Sequence, residues 1–425
     1  MQALIRNATV LTQDAKRRVL RGYDIAVEDG RISKIAKAIP GKAETEIDAS
    51  GKLAMPGLVN AHTHSAMTLF RGMASDMEFF EAWKTRLWPA EKALAPRDVL
   101  AGTRLALLEM VRSGTTSFLD MYFYGEEAAR ACEEVGVRGV LTRTFFSSPM
   151  LDASLAEAVR PMPRQTPLVS WGYSPHAPYT VDEEGYAAAE AASKKTGRVL
   201  TTHLAETRKE VHDFKKKNAK REIEWFAEKG LLSGRLVAAH CVWITKREAS
   251  LLGKYGASVA HCPVSNMKLA GGGAAPVPEL VAAGANVCLG TDGAASNDSL
   301  NMLDTMKCAA LLHKNWRWDA LAAPARHVLD FATINGAKAL KIDAGSLEAG
   351  KLADIALLDL SAPNLAPAYL DDYASLVVYA ANPGNVTDVV INGKLVLSEG
   401  KFVSADEKKI VADAVRTAEA LRACR

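Results

Sequence analysis

The chain has 425 residues, 48% of them hydrophobic, which is ample for a large core and, by length, for roughly two or three structural units. Lys and Arg number 52 against 49 Asp and Glu, a net charge of +3, so neither nucleic acid nor an anionic membrane is an expected partner. The one dense basic cluster, Lys215–Lys217 with Lys220 and Arg221, reads as a solvated helix face. No apolar run is long enough to span a bilayer, and the first residues lack a signal-peptide pattern. The six cysteines are scattered without a CxxC pair, as in a reducing compartment, and the cytoplasm is the expected location.

In chain order, the first signal is a hairpin. Tyr23–Val27 and Arg31–Ile35 flank Glu28-Asp29-Gly30, and an Asp-Gly turn supplies the positive φ that a tight hairpin needs. Eight short β-prone runs follow: Leu53–Ala61, Thr116–Met121, Gly139–Thr144, Val169–Ser174, Val199–His203, Leu236–His240, Ser258–His261 and Asn286–Thr291. Helical stretches such as Ala101–Ser113 and Glu183–Thr196 lie between most of them. Strand–helix alternation predicts an α/β fold with a parallel sheet, and eight strands predict a (β/α)8 TIM-type barrel with its chemistry at the C-terminal strand ends. A doubly wound open sheet is the alternative, but the Gly-rich phosphate fingerprint expected after its first strand is missing. Towards the end, Ala353–Leu358 reads as a strand, Asp388–Ile391 and Lys394–Leu397 flank an Asn-Gly turn, and Ala405 to Arg425 reads as a helix. The two ends therefore pair into a small β-sandwich domain of residues 1–55 and 346–425 with a C-terminal helix, around a barrel of residues 56–345.

Six of the nine histidines fall at predicted strand ends: His62, His64, His176, His203, His240 and His261. Alternate residues on a strand point the same way, so His62 and His64 aim at one point with Thr63 turned aside. Imidazoles converging with a carboxylate suit Zn²⁺ or Fe²⁺. His62, His64, His203 and Asp292 are the expected metal ligands. A catalytic metal keeps a position for water and lowers its pKa. His240 is expected to hold that water, and Asp292 to accept a proton from it. Glu206, three residues after His203, is placed for general acid/base work. His212, His313 and His327 read as structural.

These motifs resemble the amidohydrolase superfamily, and within it the 5-methylthioadenosine/S-adenosylhomocysteine deaminases. The resemblance rests on Pro56–His64, Leu87–Glu91, Ser174–Tyr179, His203–Thr207 and Gly290–Asn297, with Gly345–Asp354 at the return to the β domain. It covers nearly the whole chain. It implies hydrolytic deamination of an adenosine-type nucleoside: 5-methylthioadenosine, S-adenosylhomocysteine, 5'-deoxyadenosine or adenosine. It implies one Zn²⁺ per subunit, with Fe²⁺ as the alternative, and a homo-oligomer. Glu206 would protonate the ring nitrogen and Glu91 would bind the ribose hydroxyls. His176 would touch the purine or ribose, Arg143 the far end of the 5' group, and Trp88 would wall the pocket.

Two features refine the expectation. Related two-metal enzymes place a bridging Lys or Glu at the fourth strand's end, and Val169–Pro175 contains neither, so one metal is expected. Homocysteine-binding members carry a second arginine soon after the position of Arg143. Phe145–Met150 has none, and Arg160 or Arg164 substitutes only if the loop folds back. That leaves less polar 5' groups, as in methylthioadenosine, 5'-deoxyadenosine or adenosine, at least as well favoured as that of S-adenosylhomocysteine. A hydrolase of a free amino-heterocycle, such as guanine or a triazine, is the alternative activity, and a non-catalytic scaffold would have lost a ligand. The cytidine-deaminase type is excluded, because HxE with PCxxC is absent.

Overall fold

The computed structural model describes residues 1–147, 161–368 and 372–423. Its centre is an eight-stranded, all-parallel sheet in the order expected of a barrel. The strands are β6 (Leu58–Thr63), β7 (Thr115–Tyr122), β8 (Arg138–Phe145), β9 (Val169–Pro175), β10 (Leu200–Leu204), β11 (Leu236–His240), β12 (Ser258–His261) and β13 (Asn286–Leu289). Nearly every residue in them is buried, as expected of strands covered on both faces. The (β/α)8 expectation is borne out.

The barrel is stitched shut between β13 and β6. The Asp292 amide donates to the His62 carbonyl at 3.0 Å. Asn60 Nδ2 donates to Thr291 Oγ1 at 2.7 Å, and the Thr291 amide donates back to Asn60 Oδ1 at 3.0 Å. Gly290 permits this approach: a Cβ there would lie 2.8 Å from His62 Cβ and 2.9 Å from its carbonyl oxygen.

The two chain ends form one mixed sheet of nine strands. β1 (Ala3–Leu11), β2 (Val19–Glu28), β3 (Arg31–Ala36), β4 (Thr45–Asp48) and β5 (Lys52–Pro56) come from the start. β14 (Ile355–Asp359), β15 (Val386–Ile391), β16 (Lys394–Ser398) and β17 (Lys401–Phe402) come from the end. β5 pairs with β14 and joins the two halves. Ile5, Val10, Ile25, Val27, Ile355 and Val390 share the enclosed core. Both turn motifs adopt positive φ, at Asp29 (49°) and Gly30 (73°), and at Asn392 (51°) and Gly393 (74°).

The run Leu53–Ala61, read as one strand, divides between the two sheets. Pro56 ends β5, where its missing N–H leaves no ladder bond to make. Gly57 then packs so tightly on Thr116 that a Cβ would meet its side chain at 2.1 Å. The terminal helix Glu407–Ala423 lies on the barrel's outer layer. Glu407 pairs with Arg112 at 2.7 Å, and Ala414 and Leu421 pack with Phe70 and Val99. Among the described residues, no helix is long and apolar enough to cross a membrane.

Candidate active site

The C-terminal strand ends bring five sequence-distant side chains together. The His62 and His64 rings, two residues apart on β6, have centroids 5.0 Å apart. The His203 ring at the end of β10 is 5.0 Å from His62, and the His240 ring at the end of β11 is 5.4 Å from it. Asp292 follows β13, with Oδ1 3.2 Å from His64 Nε2 and 3.6 Å from His62 Nε2. His240 and Asp292 have positive φ, 71° and 63°, a conformation unusual for side-chain-bearing residues and concentrated at functional sites.

Surrounding groups fix these side chains. His64 Nδ1 donates to the Met121 carbonyl at 2.6 Å, which leaves Nε2 free to face the cluster. Asn266 Nδ2 lies 3.1 Å from His240 Nδ1 and donates to it, so the His240 proton sits on Nε2. Asp292 Oδ2 accepts from Ser265 at 2.6 Å and Ser296 at 2.8 Å, and Oδ1 accepts from the Gly293 amide at 2.8 Å.

The donor set fits a divalent cation. Within it, His62, His203 and His240, and likewise His62, His64 and Asp292, hold ligand atoms within 4.8 Å of one another. His62 is fully buried, yet neither ring nitrogen has a hydrogen-bond partner among the described residues. An orphaned buried imidazole is costly, and a metal ion is a physical reason to keep one. Burial drives His62 and His240 down to about 4 and His203 well below the usual imidazole range, which keeps them neutral, the ligating form. Burial acts on His64 in the same direction, but the adjacent Asp292 carboxylate overrides it and raises this imidazole to about 9. Asp292 is itself opposed by burial but held well below the carboxylate range by His62 and His64.

Glu206 lies beside this cluster, buried, with Oε1 3.7 Å from His240 Nδ1. Burial first, and then the Asp292 charge, raise its carboxyl to about 8, so it carries a proton at neutral pH. His176, just past β9, turns Nδ1 to Thr180 Oγ1 at 2.8 Å and packs 4.8 Å from the His203 ring. Glu91 and Tyr122 face the same cavity.

Two residues expected at the substrate are not brought there. Trp88 does not line the cavity; its ring stacks behind Trp83 at 5.1 Å, and Trp83 takes the cavity face. The segment Trp83–Leu87 is a π-helical turn, which shifts the phase on which a sequence reading relies. Arg143 is also turned away. Its β8 neighbour Thr144 lines the cavity, so Arg143 points outward, and Nη2 lies 3.3 Å from Glu126 Oε1. Arg164 is exposed, and Arg160 lies outside the described residues. Sequence reasoning missed Trp83, Phe123, Phe146 and Tyr179, which form an aromatic wall. It also missed Ser265, Ser296 and Asn266. His261 turns out of the site and meets His313, Nε2 to Nε2, at 3.0 Å.

The comparisons with known proteins agree with this geometry. The chain is 40% identical to a 5'-deoxyadenosine deaminase of Methanosarcina mazei, over 98% of each chain. It is 42% identical to 5-methylthioadenosine/S-adenosylhomocysteine deaminase 1 of Archaeoglobus fulgidus, over 98% of this chain and 99% of that one. A solved adenosine deaminase from Xanthomonas campestris with bound zinc superposes with a TM-score of 0.94 at 34% identity, over 99% of both chains. The model of the Amidohydrolase family matches residues 53–396, which takes in every ligand candidate from His62 to Asp292, and the chain belongs to that family.

Proposed function

We propose that this protein is a metal-dependent aminohydrolase that converts an adenosine-type nucleoside and water to the inosine analogue and ammonia. The observation that carries the reading is a buried Glu206 carboxyl beside the His62, His64, His203 and Asp292 cluster, in a cavity with Glu91 on its wall. The names of the relatives support it.

One divalent cation per subunit, zinc before Fe²⁺, would be held by His62, His64, His203 and Asp292 and, when bound, would supply a water of lowered pKa. His240, with its proton on Nε2, holds the oxygen of the incoming water as a hydrogen-bond donor. Asp292, kept ionised, accepts a proton from that water. Glu206 delivers its proton to the ring nitrogen next to the carbon that bears the amine. The new C–O bond forms at that carbon; the amine takes the proton held by Asp292, the C–N bond breaks and ammonia leaves, while the ring nitrogen keeps the proton from Glu206 and the hydroxyl proton returns to Glu206 as the 6-oxo group forms. Glu91 accepts from the ribose hydroxyls, and His176 packs on the nucleoside.

The 5' end is read by the aromatic wall. Among the described residues lining the cavity there is no Arg or Lys, whereas Trp83, Phe123, Phe146 and Tyr179 are present. A charged homocysteine tail would meet no cation among these described residues, which favours 5'-deoxyadenosine and methylthioadenosine as substrates. The five described cysteines are all free, which fits a cytoplasmic enzyme.

A spectrophotometric screen of the zinc-loaded protein tests this. Adenosine, 5'-deoxyadenosine, methylthioadenosine and S-adenosylhomocysteine are compared, with guanine as control. The expected result is deamination with the apolar 5' groups fastest. Silence on all four nucleosides with stoichiometric metal bound would overturn the reading and favour a free amino-heterocycle.

A further inference from the structure

Glu206 enters the cavity from a short turn between β10 and the helix Arg208–Asn218, and that turn is held in an unusual way. Ala205 has φ 51°, a left-handed conformation that a Cβ-bearing residue adopts only under constraint. Its amide donates to Glu222 Oε2 at 2.6 Å. The next two amides, of Glu206 and Thr207, both donate to Glu210 Oε2, at 3.0 and 3.2 Å. Three consecutive backbone N–H groups are therefore taken by two carboxylates. The Glu210–Thr207 half is a capping box, completed by the Glu210 amide donating to Thr207 Oγ1 at 3.1 Å. A capping box accounts for the Thr207 amide. It does not account for Glu222, which reaches in from the first turn of the helix Glu222–Glu228 to hold Ala205.

The remaining oxygens, Glu210 Oε1 and Glu222 Oε1, are buried without a donor among the described residues. The two carboxyl groups interact directly, and two carboxyl groups pair through a hydrogen bond only when one carries a proton. Burial first pushes both groups up from the ordinary carboxylate range, followed by the charge of Glu206 at Glu210 and the charge of Glu210 at Glu222. Each residue thus has one oxygen accepting from the backbone and one oxygen on the shared proton. Among the described residues, neither carboxyl group forms an ion pair with a Lys or Arg.

We infer that Glu210 and Glu222 form a proton-sharing carboxyl pair that clamps the amides of Ala205, Glu206 and Thr207 and thereby aims the Glu206 carboxyl at the substrate. Both are positioning residues: their bonds go to the backbone amides of the turn that carries Glu206. The inference rests on the reading of Glu206 as the acid/base of a deaminase. The pair carries a single negative charge, so the clamp adds less negative potential beside Glu206 than two free carboxylates would.

The test uses glutamine as a built-in proton. In Glu222→Gln or Glu210→Gln the amide oxygen still accepts from the backbone, and the NH₂ donates to the partner's carboxylate. Each single variant keeps kcat within about fivefold, since the hydrogen-bond count is preserved. In the double Gln variant two NH₂ groups face each other, one oxygen must turn away, and kcat falls on the order of 10-fold to 100-fold with KM little changed. Glu222→Ala, which frees the Ala205 amide, behaves like the double variant. Thermal melts read the pair without any substrate: the two single Gln chains melt near the wild type and the double chain several degrees lower. A double Gln variant as active and as stable as the singles would overturn the shared proton. Glu222→Ala folding with wild-type kcat would overturn the positioning role. A wild type inactive on every nucleoside would defeat the functional reading instead, and the melts would still decide on the pair.

Discussion

The Tyr122 hydroxyl donates to Glu91 Oε1 at 3.0 Å in the cavity wall, and this bond sets when Glu91 can act. Burial raises the Glu91 carboxyl to about 7, with the Tyr122 bond working against the rise. Only the ionised form accepts from both ribose hydroxyls. KM for ribosides should therefore fall as pH rises through about 7, roughly tenfold per unit on the acid side. A 2',3'-dideoxy substrate should lack this dependence. Tyr122→Phe removes the opposing bond and should move the inflection to higher pH.

The same group has a signature in stability. The folded chain holds the Glu91 proton up to about 7, above the 4.5 of a free side chain. Between those values the folded state binds more protons than the unfolded state. Stability therefore falls as pH rises through that window and is flat above it, by at most ~1.4 kcal/mol per pH unit from this group. Denaturant midpoints of wild type and Glu91→Gln should converge at the acid end and separate, with the Gln chain more stable, towards pH ~8.

Removing the cation should expose the cost of the orphaned His62. Chelation is expected to lower the melting temperature, and zinc to restore it, because a ligand that binds only the folded state stabilises it by mass action. His203→Ala and His62→Ala should each lose stoichiometric metal by elemental analysis. Full zinc retention in both variants would remove them from the ligand set.

Glu206→Gln keeps the shape and removes the transferable proton. Its kcat should drop about 10²-fold to 10⁴-fold, with metal content unchanged and KM within a few fold. A kcat near that of the wild type would assign the acid/base role elsewhere.

Trp83 and Trp88 stack face to face, but only Trp83 lines the cavity. Trp83→Ala should raise KM for 5'-deoxyadenosine by about tenfold or more, the cost of one lost aromatic contact of 1.4 kcal/mol or so. Trp88→Ala should change it several-fold less. Steady-state kinetics on the two variants separates them.

The ligand cluster was legible because strand geometry is periodic. His62 and His64 share a face by alternation, and His203, His240 and Asp292 sit where parallel strands end. The same alternation carried a signal about Arg143 that only Thr144 reveals: neighbours on β8 cannot both face the cavity. Trp83 was not legible, since a π-helical turn changes the residues per turn without a mark in the sequence. The division of Leu53–Ala61 depends on how closely Gly57 approaches Thr116, a contact between distant segments. Glu222 opens the helix Glu222–Glu228, beyond the helix that follows Glu206, and nothing local links it to the Ala205 amide.

The seam that joins β13 to β6 has a kinetic meaning. His62 and His64 stand on one side of it and Asp292 on the other, with the Asp292 amide bonded across it to the His62 carbonyl. Only a barrel that has finished wrapping its last strand against its first brings these ligands together. With the proposed ligand set, metal uptake would be a clock for the final act of folding: a growing or half-assembled chain would offer no complete site, and the cation would be captured when the ring closes.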